Sequence, residues 1–307
     1  MRNAFANEMT KLAQQDERVV LLSGDIGNKL FDKFKDVDGH RFYNCGIAEA
    51  NMMGVAAGMA LSGLRPVVYT ITPFTTTRCF EQIRVDACYH KAPVIIIGTG
   101  SGLSYAELGP THHSLEDMAI LRTLPGMRVM APCDTSELRL AMRAALNEDG
   151  PVYIRIGKKG EPDIHHQLPD FKIGKSIVVR EGDDIALLSA GTIMPEVLKA
   201  ADILKVKGIS AEVVSFHTVK PLDTGYLAAA AKRVQFFATI EEHGLIGGLG
   251  SAVAEWRASA NSVTPLMSFG TPDEFMHDVG TQEYARAKYG LTAENIAERI
   301  IASVRKA

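Results

Sequence analysis

The chain has 307 residues, of which 46% are hydrophobic, and its formal net charge is −3. A chain of this length buries roughly three quarters of its unfolded surface, in one large or two ordinary domains. The charge argues against a nucleic-acid partner. No apolar run reaches the length of about 18 residues that predicts a membrane span, so we expect no membrane partner.

The sequence also predicts a cytoplasmic protein. Its first residues show no apolar core of a signal peptide. The four cysteines, Cys45, Cys79, Cys88 and Cys133, have neither a C-x-x-C pair nor a zinc-site spacing. Reduced thiols are therefore expected.

The first half of the chain alternates predicted strands with predicted helices. We expect helices at 3–15, from Glu49 to 61, at 74–90, at 115–124 and from an Asp134 cap, and strands at 18–23, 66–71, 93–97, 128–130 and 152–156. A glycine-containing loop is expected at 98–114. This alternation predicts a parallel, doubly wound sheet.

The alternation stops at a polar stretch and then starts again. We expect domains at 1–160 and 185–307, joined by a linker at 161–184 that holds at most one short strand. The second domain is predicted to have strands at 185–189, 211–216 and 234–240, a helix that stops at Gly208, a helix after the turn 247–250 and a last helix at 292–304. The predicted fold class is α/β, with two doubly wound domains.

The helix that begins at Glu49 is almost entirely apolar after Asn51. A helix that is apolar on all sides is expected to be buried. Glu49 in its first turn is either a structural acid, held by free helix N–H groups, or a catalytic carboxyl. Burial would raise the pKa of a catalytic carboxyl at this position, because it disfavours the charged form.

Two glycine-containing turns give weaker signals. The turn that includes Gly248 and Gly250 lacks the third small residue and the acidic partner of a dinucleotide site, so it is interpreted as a packing turn. Asp25 and Asn28 are spaced too closely for a magnesium–diphosphate site. We therefore expect no metal bound by this chain alone.

Other polar residues lie in the predicted loop and at a strand end. His112 and His113 are either a surface pair or a proton-transfer site near a buried carboxyl. Ser114 suggests a hydrolase, but the chain has no G-x-S-x-G elbow. Arg155 ends a predicted strand, where it would either bind an anion such as a sugar phosphate or form a salt bridge at the domain edge.

Taken together, these features resemble a known family. The segments concerned are 46–52 (GIAEANM), 78–84 (RCFEQIR), 109–112 (GPTH), 125–134 (PGMRVMAPCD) and 240–252 (IEEHGLIGGLGSA). In this order and spacing they resemble the C-terminal half of transketolase and of deoxyxylulose-phosphate synthase, which use thiamine diphosphate. The resemblance implies a thiamine-pyrimidine-binding domain followed by a transketolase C-terminal domain.

The resemblance also implies a split enzyme. The diphosphate-binding domain of the family, with its Gly-Asp-Gly…Asn magnesium motif, has no counterpart in this sequence. An N-terminal transketolase subunit would then hold Mg²⁺ and the diphosphate. We expect a homodimer or a 2+2 heterotetramer, in which Gly54 and Gly58 allow close approach of helices.

The resemblance assigns roles to eight residues. A neutral Glu49 would be hydrogen-bonded to the pyrimidine ring, as a buried acid can be, and His112 would face the substrate oxygen. Phe74 would stack on the pyrimidine, with Phe80 as the alternative. The remaining assignments are Arg78, Asp25 and Ile26 at the cofactor, and Arg155 and Arg2 at a substrate phosphate.

Two departures affect the expected substrate. Leu108 stands where transketolases have an aspartate that reads sugar hydroxyls, and a family histidine that contacts phosphate is missing near Gly100. The resemblance implies transfer of a two-carbon ketol unit between ketose and aldose sugars, usually phosphates, as in pentose phosphate metabolism. The alternatives are the β subunit of a 2-oxoacid dehydrogenase and a non-catalytic binding protein of the same fold.

Overall fold

The computed structural model describes residues 1–304. It has two mostly parallel sheets with helices packed on them. The strands are β1 Val19–Ser23, β2 Phe42–Asn44, β3 Arg65–Ile71, β4 Ile95–Thr99, β5 Arg128–Met130, β6 Val152–Ile156, β7 Ile177–Arg180, β8 Ile185–Ala190, β9 Ala211–Ser215, β10 Thr218–Lys220, β11 Phe237–Gly244 and β12 Leu266–Thr271. The helices are α1 Arg2–Gln15, α2 Asp32–Val37, α3 Glu49–Leu61, α4 Thr72–Thr75, α5 Phe80–Gln82, α6 Asp117–Arg122, α7 Thr135–Ala145, α8 Met194–Val206, α9 Thr224–Ala230, α10 Leu249–Ser259, α11 Gln282–Lys288 and α12 Ala293–Val304.

The first sheet has seven strands in the order β10-β5-β6-β4-β3-β1-β2. All its pairs are parallel except that of β10 with β5. Strand β10 follows β9 of the second sheet in the chain, so it joins the two sheets. The α/β fold class is confirmed, although each sheet is mixed at one edge.

The second sheet has five strands in the order β12-β11-β8-β9-β7. Its edge strand β7 pairs with β9 antiparallel, and the other pairs are parallel. Strand β7 is the one short strand expected within 161–184, and it belongs to the second sheet. The strand predicted at 234–240 starts later, at Phe237, and continues to Gly244.

Helix α3 buries only one of its faces. Met52, Met53, Ala56 and Ala57 lie in the core, whereas Val55 and Leu61 are 41% and 59% exposed. The expectation of a helix buried on all sides is therefore wrong for the single chain. Exposed apolar faces of this kind are typical of surfaces that bind a partner or a ligand.

The single helix predicted at 74–90 is also wrong. Helix α4 ends at Thr75, a 3₁₀ turn follows, and the chain continues through α5 into a π-helix over Ile83–Tyr89. The hydroxyls of Thr76 and Thr77 donate to the carbonyls of Thr72 and Pro73 at 2.7 and 2.6 Å. Such bonds to the preceding turn bend helices, and they turn this segment across the end of the first sheet.

In the part of the chain that the structure describes, no helix is both long enough and apolar enough to cross a membrane.

The predicted cap of α7 is confirmed. The Asp134 side chain accepts a hydrogen bond from the Glu137 backbone N–H at 2.9 Å. It also accepts the N–H groups of Ile164 and His165, at 2.9 and 2.8 Å. The buried Asp134 carboxylate therefore caps α7 and also holds the segment that contains Ile164 and His165.

We expect Asp134→Ala to lower the free energy of unfolding by about 2–4 kcal/mol, because a cap is lost and buried N–H groups lose their acceptor. Thr281→Ala, which removes the exposed cap of α11, should cost only about 0.5–1 kcal/mol. Chemical denaturation followed by circular dichroism measures both. Equal losses would contradict the bridging role of Asp134.

Candidate active site

The candidate site lies at the carboxyl edge of the first sheet. Strand β1 has β2 on one side and β3 on the other, so the order of strand addition reverses between β1 and β3. Ligands of open α/β sheets bind outside the carboxyl ends of strands at such a reversal. Asp25 and Ile26 follow β1 here, and Phe74 and Arg78 follow β3.

Glu49, the first residue of α3, is 5% exposed. Its Oε1 lies 3.2 Å from Nη1 of Arg78. The sequence predicts an acid that keeps its proton, whereas the structure has a carboxylate in an ion pair. A cofactor ring hydrogen-bonded to Glu49 would lie beside Arg78 or take its place, and the Arg78 side chain, which is 46% exposed, has room to move.

The same guanidinium lies on the ring of Phe74, with Cζ 3.7 Å from the ring centroid. A planar cation is thus stacked on an aromatic ring while it donates to a buried carboxylate. A planar nitrogen heterocycle such as an aminopyrimidine makes the same two demands, so these residues fit it. The alternative ring, Phe80, packs against the core instead.

His112 lies on the other side of Phe74, with ring centroids 5.2 Å apart. Partial burial, together with the positive charge of Arg78, lowers the pKa of His112. Its Nδ1 lies 2.9 Å from the Thr111 hydroxyl, which leaves Nε2 as the nitrogen to face a substrate. The neighbouring His113 is buried, so the two residues are not a surface pair.

Asp25 and Ile26 occupy the turn after β1. Asp25 has φ +56° and accepts a hydrogen bond from Asn44 at 2.9 Å, while the Ile26 carbonyl accepts one from Ser23. Within residues 1–304 neither side chain hydrogen-bonds to Glu49, Phe74 or His112. They share the sheet edge with these residues but not their contacts.

Arg155 is buried and paired within the single chain. It is 2% exposed, and its Nε lies 3.0 Å from Asp117 Oδ2. Its Nη2 donates to the carbonyls of Ser114 and Glu242, at 2.9 and 3.3 Å. In the single chain the alternative, a salt bridge at the domain edge, describes this residue, and the phosphate contact stays a prediction.

Two residues beside His112 were not predicted from the sequence. The Tyr105 ring lies 5.9 Å from that of His112, and Lys158 Nζ lies 4.4 Å from the Tyr105 centroid. Tyr105 also explains the missing histidine near Gly100, since a Cβ there would lie 1.9 Å from the tyrosine ring. The loop 98–114 offered no periodic pattern from which these neighbours could be predicted.

Arg2, the other predicted phosphate contact, lies at the start of α1. Its Nε is buried and has no hydrogen-bond partner among the described residues. Tyr69 lies within range of the Arg2 charge. Burial raises the pKa of Tyr69, and the positive charge of Arg2 partly opposes that rise.

These elements define a class: an α/β protein with two sheets and a candidate site at the carboxyl edge of the first. Residues 1–161 match the family described as transketolase, pyrimidine binding domain, and residues 174–296 match transketolase, C-terminal domain. The chain belongs to the transketolase family.

Three relatives cover nearly the whole chain. The 6-deoxy-6-sulfo-D-fructose transketolase subunit SqwH of Clostridium sp. strain MSTE9 is 37% identical, over 96% of this chain and 92% of the relative. A subunit of the apulose-4-phosphate transketolase of Phocaeicola vulgatus is 35% identical, over 99% and 97%. A solved split gene transketolase, described as an inactive beta4 tetramer, has a TM-score of 0.88 at 36% identity and covers 100% of this chain and 97% of its own.

We expect Arg155→Met to destabilise the chain by about 3–5 kcal/mol, because it leaves Asp117 as an uncompensated buried charge. Arg180→Met removes a surface pair with Asp202 and should cost at most about 1 kcal/mol. Denaturant unfolding compares the two variants. Unchanged stability of Arg155→Met, combined with a raised KM for a sugar phosphate, would support the substrate role.

Proposed function

We propose that the chain is the C-terminal subunit of a split, thiamine-diphosphate-dependent transketolase, which transfers a two-carbon ketol unit between a ketose and an aldose. The observation that carries this proposal is the planar Arg78 cation held between Glu49 and Phe74, next to His112. This arrangement has the partners that an aminopyrimidine ring requires. Family membership supports the same reaction class and gives no support to the 2-oxoacid dehydrogenase alternative.

Bound thiamine diphosphate would supply the carbanion chemistry of the reaction. Glu49 would hold a proton at a ring nitrogen of the pyrimidine, once Arg78 has moved out of the ring's place. Phe74 would stack on the ring. Asp25 and Ile26, on the neighbouring turn, remain proposed contacts on the β1 side.

His112 would face the substrate with a neutral imidazole, because its pKa is lowered. A neutral ring can accept or donate a hydrogen bond at a sugar oxygen. One cation supports a phosphorylated substrate: Arg2, whose Nε is unpaired among the described residues. Lys158, next to the Tyr105 ring, already pairs with Glu107. The names of the two relatives give two different sugars, so they do not specify the donor and acceptor of this chain.

The partner is proposed to be an N-terminal transketolase subunit that holds Mg²⁺ and the diphosphate. The exposed face of α3, which includes Val55 and Leu61, ends next to Glu49. A Cβ at Gly58 would meet no atom within 4 Å, so a second helix can approach there. The homodimer and the 2+2 heterotetramer stay proposals: relatives described as subunits support a partner chain, and one described as a beta4 tetramer supports an assembly of four chains.

We expect Glu49→Gln, mixed with the partner subunit, thiamine diphosphate and Mg²⁺, to reduce ketol transfer by about 10²–10⁴-fold, the range for loss of a proton-transfer group. Glu81→Gln is the control, since Glu81 is exposed and pairs with Arg84 in the same segment. A coupled assay follows ketose-to-aldose transfer, with pyruvate as a parallel substrate. Full activity of Glu49→Gln would overturn the role, and turnover of pyruvate alone would overturn the reaction class.

We expect Arg78→Met to strengthen thiamine diphosphate binding by the assembled protein by about 2–5-fold, because an exposed cation–π contact of about 0.5–1 kcal/mol no longer competes for Phe74. Arg84→Met, next to the same segment, should leave the Kd unchanged. Isothermal titration calorimetry measures both. Weaker binding by Arg78→Met would show that Arg78 contacts the bound cofactor instead.

A further inference from the structure

A second group of ligand-type side chains lies away from the candidate active site. Cys133 precedes α7, Glu137 is in its first turn and His165 is in the segment that leads to the second sheet. One ligand atom from each of these residues lies within 4.8 Å of the others. The thiol and the carboxylate are fully buried, whereas the His165 side chain is 9% exposed.

Two of the three separations between ligand atoms are close to those of a tetrahedral metal site. Cys133 Sγ lies 3.9 Å from His165 Nε2, and that nitrogen lies 3.0 Å from Glu137 Oε1. Zinc bond lengths of about 2.0–2.3 Å put ligand atoms about 3.4–3.6 Å apart at tetrahedral angles. Each observed separation is within about half an ångström of that range, so small side-chain shifts suffice.

The surroundings fix these ligands. The second Glu137 oxygen accepts the Cys133 backbone N–H at 2.7 Å, and Asp134 accepts that of His165 at 2.8 Å. Such outer contacts orient the ligands of metal sites. A thiolate and a carboxylate together carry two negative charges, which a divalent cation neutralises in a buried site.

A fourth polar group is buried in the same region. His217 is fully buried, its Nε2 has no hydrogen-bond partner among the described residues, and its carbonyl accepts the N–H of Ala131, two residues before Cys133. An ion pair of Glu137 with His165 accounts for two members of the group. It does not account for a thiol whose sulfur lies 3.9 Å from the same imidazole nitrogen.

We propose that Cys133, Glu137 and His165 bind a divalent cation of the zinc class. The sulfur ligand favours such a cation over Mg²⁺ or Ca²⁺. The metal would tie the start of α7 to the segment between the two sheets, which makes it a structural site. This site is independent of the proposed ketol transfer, and it was not predicted from the sequence because the third ligand is 28 residues beyond the second.

The test uses the full chain, stripped of metal with a chelator and then titrated with Zn²⁺ against a chromophoric chelator. We expect one Zn²⁺ per chain, and binding weakened by more than about 100-fold in Cys133→Ser and in His165→Gln, which exceeds the effect of losing an outer contact. The controls, Cys45→Ser and His166→Gln, remove a thiol and an imidazole outside the group and should leave the affinity unchanged.

Co²⁺ gives a second readout that does not depend on the folding of any variant. The wild-type chain with one equivalent of Co²⁺ should show a thiolate-to-cobalt charge-transfer band in the near ultraviolet. Absence of that band would overturn the proposal. Zn²⁺ binding that is equally tight in Cys133→Ser, or that is lost in Cys45→Ser, would also overturn it, since the metal would then bind elsewhere. Neither measurement uses enzyme activity, so failure of the proposed function leaves this result interpretable.

Discussion

The candidate active site depends on how one nearly buried carboxylate is paired. A charge with little access to water is costly unless a partner compensates it. In the single chain Arg78 compensates Glu49, and the guanidinium also covers the face of Phe74. If Arg78 moves, its contacts with Glu49 and Phe74 are lost together. A second planar group in the same place would give both residues a partner again. In the proposed function a cofactor ring would take the place that the guanidinium holds in the single chain.

The Arg78 contacts explain how Glu49 and Phe74 are held in the folded single chain without a cofactor. Buried apolar clusters pack around both sheets, and one of them contains residues of both sheets, so the core is built from this chain's own side chains. The exposed face of α3 begins beside Glu49, and the turn that holds Asp25 is exposed as well. A second chain that covers this surface would remove water from the carboxylate, which strengthens every polar contact there.

Local signals in the sequence predict much of the fold. The apolar strands, the α8 stop at Gly208 and the Asp134 cap depend on neighbouring residues, and the structure has them, with the strand predicted at 234–240 shifted to Phe237–Gly244. The failures involve contacts between distant residues or competition within a segment. Threonine hydroxyls interrupt the predicted helix after Phe74. Arg155 forms a salt bridge with Asp117, which is distant in the sequence. Cys133 contacts His165, which lies in the segment between the two sheets. No spacing rule contains these contacts.

The second domain also holds the loop that bears His112. Glu242 of β11 accepts the Leu103 backbone N–H at 3.2 Å, and its own carbonyl accepts from Arg155, which also bonds to the Ser114 carbonyl. Leu103 and Ser114 lie near the two ends of the loop.

A glycine makes this attachment possible. Gly102 has φ +63°, and a Cβ there would lie 2.6 Å from the Glu242 side chain. The loop is thus held at Leu103 and at Ser114, and the first of these contacts requires the neighbouring glycine. His112 lies between these two points and faces Phe74. Because β11 belongs to the second sheet, that domain sets the position of a side chain assigned to the substrate. The same domain also supports the helix that begins at Glu49, since Met52 and Met53 of α3 share one apolar cluster with Phe237 of β11.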